Sequence, residues 1–518
     1  MQCIVLTNSL RLAAKYRASQ QDILAILEKN LVYQQIVEFH LLDVSDYQDE
    51  FGEKPTWQEH KAILADFMAG MGLHPSPSLS LFIVGGDDVI PMPRITNPIN
   101  ETEQLESDIL YCFAGEELTR LDAKEALCNV GRLPLESGSL PSTLNDDLQS
   151  YFNLSNMMLM TGIEVNKVVM TSTESWLPAS NDMVRGLPVE EPPHIADATN
   201  GNLFVSPRLS VEDTYVIRHY KKEISQADML MFNLHGADAR GYSSFYGEGL
   251  SGHNSPEAFS CDLLKYSGAR ILNTVACFGG RYIGYNRNDS MLMSAMYGGG
   301  VVLYAGSCTM ALGRSSSIHN VAEDALMPSG YSESFMKLYS LYLFKGITAG
   351  EAFLTAKCDY FNLCHALDGE DCALATVLMF NLYGMPVLCV NSNKKVIQEA
   401  RGIKEVHTIR NHTKTSSRIL YSKKPATSSI LEEVRMRVDD NLQKIRSTIE
   451  SKLYNYWGLN PADLDNIVEI SNSNQKSLRF EYKSNIGPIN KRYWAYADKN
   501  GNVKDVIHFK SLVSNNNN

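Results

Sequence analysis

The chain has 518 residues, 44% of them hydrophobic and 20% charged, and a formal net charge of −12. That is too long for one hydrophobic core and ordinary for a globular protein, so about two to four folded domains are expected at roughly 100–200 residues each. The negative balance, with no long lysine and arginine block, argues against nucleic acid as the main partner. No window reaches the about 18 apolar residues of a membrane span, and MQCIVLTNSLRLAAKYR lacks the apolar core of a signal peptide, so a cytoplasmic protein is expected.

In chain order, apolar runs of strand length alternate with helical periodicity. CIVLTNS precedes the helix-like SQQDILAILEKNL, QIVEFHLLDV precedes TWQEHKAILADFMAGMG, and LSLFIVGGDD and ILYCFAG follow as strand candidates. This alternation marks a mostly parallel sheet covered by helices on both faces. A polar, helix-like stretch at 141–157 separates it from a second alternating series. There the expected strands are VNKVVMTS, ADMLMFNL, ARILNTVA, GVVLYAG and MPVLCV, read as a second, larger sheet. After residue 390 the chain turns polar and basic. An amphipathic helix (SSILEEVRMRVDDNLQKIRSTIESKLYNYWG) and then a hairpin around the Asn-Gly of KRYWAYADKNGNVKDVIHF are expected. The division is an α/β unit over 1–150, a second over 151–391, and a small α+β domain over 392–518.

The ten cysteines are scattered, without a CxxC, so neither a disulfide framework nor a ribbon-type zinc site is indicated. Cys358, Cys364, His365 and Cys372 come nearest to a metal cluster, in spacings that match no common finger. FIVGGDD and the triple glycine at 298–300 open no nucleotide-binding motif, since neither GxxxxGK[ST] nor a helix-opening GxGxxG occurs. Asp87 and Asp88 fit a structural calcium site or, more commonly, a turn after a strand. No cofactor is expected.

Reactive groups in parallel α/β sheets gather beyond the carboxyl ends of strands. ADMLMFNL runs into His235 and Gly236, and ARILNTVA runs into Cys277, Phe278, Gly279 and Gly280, with PEAFSCDLLKYS between them as a crossover helix. That order sets an imidazole beside a thiol on neighbouring strand ends, the pairing that turns a thiol into a nucleophile. Without a Cβ at Gly236 a substrate carbonyl can approach the backbone, so that the N–H groups of Gly236 and Cys277 form an oxyanion hole.

Apolar strand, His-Gly, apolar strand, Ala-Cys resembles the caspase-like clan of cysteine peptidases, and further segments resemble its gingipain family (peptidase family C25). FIVGGDDVIP, ESDILYCF, NVGRLPLES and NLYGMPVLCV stand in that family's order over residues 79–391. The resemblance implies an αβα sandwich of two subdomains with mostly parallel sheets, the catalytic pair lying on the second. It also implies that Glu174, in TSTES, supports the far nitrogen of His235. Asp182, in SNDM, would line an S1 pocket for a basic P1 residue, or else cap a helix. Two departures stand out. Phe-Gly-Gly-Arg replaces the polar turn that usually follows the cysteine, and SCTMALGR carries no tryptophan over S1.

The resulting expectation is a cytoplasmic cysteine endopeptidase that cleaves protein or peptide substrates, gated by a partner or signal through the C-terminal domain or the loop at 279–289. The rival readings are an inactive peptidase-fold scaffold or sensor, and a thiol hydrolase acting on acyl thioesters.

Overall fold

The computed structural model describes residues 1–31, 36–47, 56–115, 118, 121–135, 141–172, 176–189, 194–197, 222–237, 244–247, 257–285, 287–314, 331–368 and 370–391, and the strands Leu464–Ser471, Ser477–Ser484, Lys491–Asp498, Val503–Phe509 and Ser511–Leu512. The expected helix in the stretch after residue 392, the Asn-Gly turn and Glu174 lie outside the described residues.

Ten described strands form one sheet in the order Glu38–Asp43, Gln2–Thr7, Ser80–Val84, Asn129–Leu133, Phe380–Gly384, Leu303–Ser307, Ile271–Thr274, Met229–Asn233, Val168–Ser172, His194–Asp197. All neighbours pair in parallel except Phe380–Gly384 against Leu303–Ser307. Helices flank this mostly parallel sheet to give an αβα sandwich. The strands Ser80–Val84, Val168–Ser172, Met229–Asn233, Ile271–Thr274 and Leu303–Ser307 are buried at every residue, which is why each reads as a nearly unbroken apolar run.

The two alternating series therefore meet as one sheet rather than two, joined where Tyr383 pairs with Arg132. The junction needs glycines. A Cβ at Gly131 would lie 2.5 Å from the Gly384 carbonyl oxygen, and Gly384 itself has φ +115° against the Val302 carbonyl. Helix starts follow their capping residues: Ser19 with Asp22 and Thr56 with Glu59 each close a reciprocal capping box.

Three expected elements differ. The ILYC segment is a 3-10 turn, Asp108–Cys112, because Asp108 folds inward to meet Arg132. The closing strand is Phe380–Gly384, not MPVLCV, since Gly384 and Pro386 end it and proline has no N–H for a ladder. The expected crossover helix PEAFSCDLLKYS holds a short strand, Glu257–Ser260, paired with Ser244–Tyr246, followed by one helical turn at Cys261–Leu264. Phe259 there stacks obliquely on Phe232, ring centroids 4.6 Å apart, which favours the extended conformation over a helix.

The four C-terminal strands from Leu464 to Phe509 form an antiparallel meander whose Val503–Phe509 member pairs with Leu312–Arg314, and Ser511–Leu512 pairs with Gly236–Ala237. The expected hairpin is thus part of a larger sheet.

Candidate active site

The strand Met229–Asn233 pairs in parallel with Ile271–Thr274, placing Phe232 opposite Thr274. The Val275 N–H continues the ladder to the Phe232 carbonyl. His235 and Cys277 stand equally far beyond that Phe232–Thr274 pair, so the sheet delivers them to neighbouring strand ends. There the backbones touch: a Cβ added to Gly236 would sit 1.7 Å from the Cys277 carbonyl oxygen and 3.1 Å from its nitrogen. Only glycine fits between His235 and the cysteine backbone.

The turn after Cys277 explains the two glycines. Phe278 takes φ +56°, the left-handed region that side chains enter at a cost of about 1–3 kcal/mol. Its N–H donates to the Thr309 carbonyl at 2.8 Å, and the Gly280 N–H donates to the Ser307 carbonyl at 2.8 Å. The Tyr304 hydroxyl donates to the Gly279 carbonyl, and the Tyr383 hydroxyl donates to that of Gly280 at 2.8 Å. At Gly280 a Cβ would come 2.7 Å from the Gly306 oxygen, so this turn lies flush against the neighbouring strand. A side chain at Gly279 or Gly280 would have no room.

The Cys277 sulfur accepts the Ala311 N–H at 3.1 Å. The His235 backbone is locked by a two-way bridge to Tyr246, both bonds 2.9 Å. Its imidazole lies T-shaped to the buried Trp176 indole, centroids 4.7 Å apart. Both His235 and Cys277 are 0% exposed. Beside the sulfur runs a narrow cleft lined in part by Ala237, Phe245, Phe278, Arg281 and Tyr285, with the Arg281 guanidinium over both the Phe278 and Tyr285 rings at 5.5 Å. The loop at 279–289 thus forms one wall of this cleft.

His235, Gly236 and Cys277 come together. Glu174 lies outside the described residues. Asp182 sits late in the helix Leu177–Val184, so it is not that helix's N-cap. Its buried carboxylate binds the Lys337 ammonium at 2.8 Å and the Arg185 guanidinium. Two cations already match its charge, so it offers no free anion to a basic P1 side chain. Trp176 and Ala311 escaped the sequence reading. A backbone N–H carries no residue signature, and a tryptophan about 60 residues before the histidine has no spacing that marks it.

Asp87 accepts two bonds from Arg94, both 2.9 Å, and Asp88 pairs with Lys15 at 2.6 Å, so both act as turn anchors. Cys358 and Cys372 are buried, and burial pushes the Cys358 thiol well up, away from the thiolate a metal requires. Among the described residues no group of three His, Cys, Asp or Glu side chains is placed to hold a metal ion, and no helix is long and apolar enough to cross a membrane.

The fold and this site define an α/β protein with a thiol and an imidazole at adjoining strand ends. Comparison with known proteins adds little: no family model matches, and no curated protein matches. One solved structure described as "Structure of Protease" is similar over 99% of this chain and 92% of its own, at 10% identity and a TM-score of 0.46. A likeness this weak implies neither a shared fold nor a shared chemistry.

Proposed function

We propose that the chain is a cysteine endopeptidase, of the gingipain-like type within the caspase-like clan, acting on protein or peptide substrates. The Cys277 sulfur attacks the scissile carbonyl carbon while His235 takes the thiol proton; the imidazolium then returns that proton to the leaving amine, and water hydrolyses the thioester. The Ala311 N–H complements charge on the sulfur. The N–H groups of Gly236 and Cys277 face the developing oxyanion, and each such donor contributes about 3 kcal/mol to the barrier reduction. Glu174 orients His235 from its far side, and Trp176 keeps the ring from turning. No basic-P1 selectivity follows from Asp182, whose charge is already matched.

The observation that supports this reading is the register that sets His235 and Cys277 side by side, with Gly236 pressed against the cysteine carbonyl. An acyl-thioester hydrolase would use the same pair, but an extended backbone edge at Leu312–Arg314 immediately follows Ala311, and such an edge suits a peptide. The complete burial of both residues equally fits an inactive scaffold. Cleavage of a denatured-protein or peptide library by the purified chain decides between these. Cys277→Ala and His235→Ala are expected to lower turnover at least about 10³-fold while keeping a cooperative melting transition, its midpoint lowered by the cavity each truncation leaves at this buried site. Undiminished cleavage in Cys277→Ala would refute the mechanism.

A further inference from the structure

The C-terminal strands reach the site from the far end of the chain. Val503–Phe509 runs antiparallel to Leu312–Arg314 in the register Leu312 with Phe509, Gly313 with His508 and Arg314 with Ile507. Ser511–Leu512 runs parallel to Gly236–Ala237. These two receiving edges are not arbitrary pieces of surface. Leu312 follows Ala311, whose N–H holds the Cys277 sulfur, and Gly236 follows His235 and lies against the Cys277 carbonyl. One C-terminal unit therefore lies on both backbone edges that flank the thiol and imidazole, and both reactive residues are fully buried.

Backbone edges recognise any extended chain, because the ladder is made by N–H and C=O groups common to all peptides. Resting on the peptidase reading above, we propose that the C-terminal sheet is an intramolecular occupant of the substrate edges, so that this chain rests latent and a substrate strand enters only when that sheet leaves.

The lengths of the pairings suit such a switch. Within the meander the ladder of Ser477–Ser484 with Lys491–Asp498 runs eight residue pairs. The attachments to the site run only three pairs and two pairs. With so few hydrogen bonds, the attachment is weak enough to release while the meander's own longer ladders persist. A partner that pairs with the meander, or a substrate that competes for Leu312–Arg314, would shift the balance by mass action.

Ala237 and Leu512 are direct partners in the parallel ladder, and strands so paired lie about 4.8 Å apart, within the span a disulfide bridges. The test is the full-length Ala237→Cys/Leu512→Cys variant, oxidised and then reduced with dithiothreitol, with the new bond mapped by peptide mass spectrometry. Cys277 alkylation by iodoacetamide is followed residue by residue alongside peptide cleavage. The expected result is efficient formation of the 237–512 bond, with alkylation of Cys277 and cleavage both slowed about tenfold or more and restored on reduction, because the bond removes the open population through which both reactions pass. Failure of the bond to form would overturn the docking. A bond that leaves Cys277 equally reactive in both redox states would overturn the latency. Cys277 that is shielded when locked and exposed when reduced, yet cleaves no peptide in either state, would leave the covering intact and refute the peptidase reading instead.

Discussion

Gly236 is the residue on which the site's geometry turns. Its Cα faces the Cys277 carbonyl so closely that a single methyl group cannot be placed without moving one backbone away from the other. Gly236→Ala is therefore expected to lower kcat by about 10²-fold, the cost of misplacing reacting groups by roughly an ångström, with a much smaller change in KM. Steady-state kinetics on one peptide checks it, and an unaltered kcat would show that the two backbones do not meet as described. Gly236, His235 and Cys277 could be singled out as neighbours because they are chemical letters at the ends of apolar runs. Phe278 was not, since nothing in a phenylalanine announces a positive φ, and the Ala311 donor was not, since any residue except proline supplies that N–H. Asp182 shows the opposite failure. An acidic residue near a helix invites a role, but its partner Lys337 comes from a distant helix that sequence spacing cannot place beside it.

At the scale of elements, the four segments that suggested a family turn out to build one buried knot. Arg132 gives both Nε and Nη2 to the Asp108 carboxylate at 2.7 Å, and its Nη1 reaches the carbonyls of Gly85 at 3.0 Å and Ile90 at 2.7 Å. Asn381, from the closing strand, accepts the Asp108 N–H at 3.1 Å and donates to the Glu106 carbonyl at 2.8 Å. These motifs join the two halves of the sheet. The sequence order of the motifs was readable, whereas their meeting was not, because it depends on which strands become neighbours.

Beside the knot, Lys357 of helix Ala349–Asp368 is 3% exposed, its ammonium over the Phe353 ring, and burial lowers its pKa to about 8 from the ordinary 10.5. The folded chain thus gives up this proton near pH 8 and the unfolded chain only near 10.5, so between those values the unfolded state holds more protons and stability rises with pH. Below pH 8 both states are charged and the full burial cost remains. Lys357→Met should accordingly raise the free energy of unfolding by up to about 3 kcal/mol at pH 7, and the gain should fade between pH 8 and 10.5. Urea titrations of both chains at pH 7 and pH 10.5 test this. A gain of equal size at both pH values would mean that the cation's burial is not its source.

Among the described residues a ten-stranded sheet carries a five-stranded one, and the C-terminal strands pair beside His235 and Cys277 at Gly236–Ala237 and Leu312–Arg314. The alternation of apolar runs and amphipathic stretches made the α/β class readable early. The merging of two expected sheets into one was hidden in a single antiparallel strand, Phe380–Gly384, whose neighbours lie about 75 and 250 residues earlier in the chain. The reach of the C-terminal strands onto Gly236 and Leu312 was equally out of view, since backbone pairing leaves almost no mark on composition. That arrangement would keep a thiol peptidase from acting on its surroundings until it is released. Everything rests on Cys277 being a nucleophile armed by His235. The most direct measurement is site mapping by mass spectrometry after treatment with an acyloxymethyl-ketone peptide, on the parent chain, on Ser511→Pro/Leu512→Pro, which lacks the N–H groups for the outer pairing, and on His235→Ala. A single thioether at Cys277, formed faster in the proline variant and absent without the imidazole, is the predicted result. No adduct at Cys277 in either His235-containing chain, or labelling spread over other cysteines regardless of His235, would contradict it.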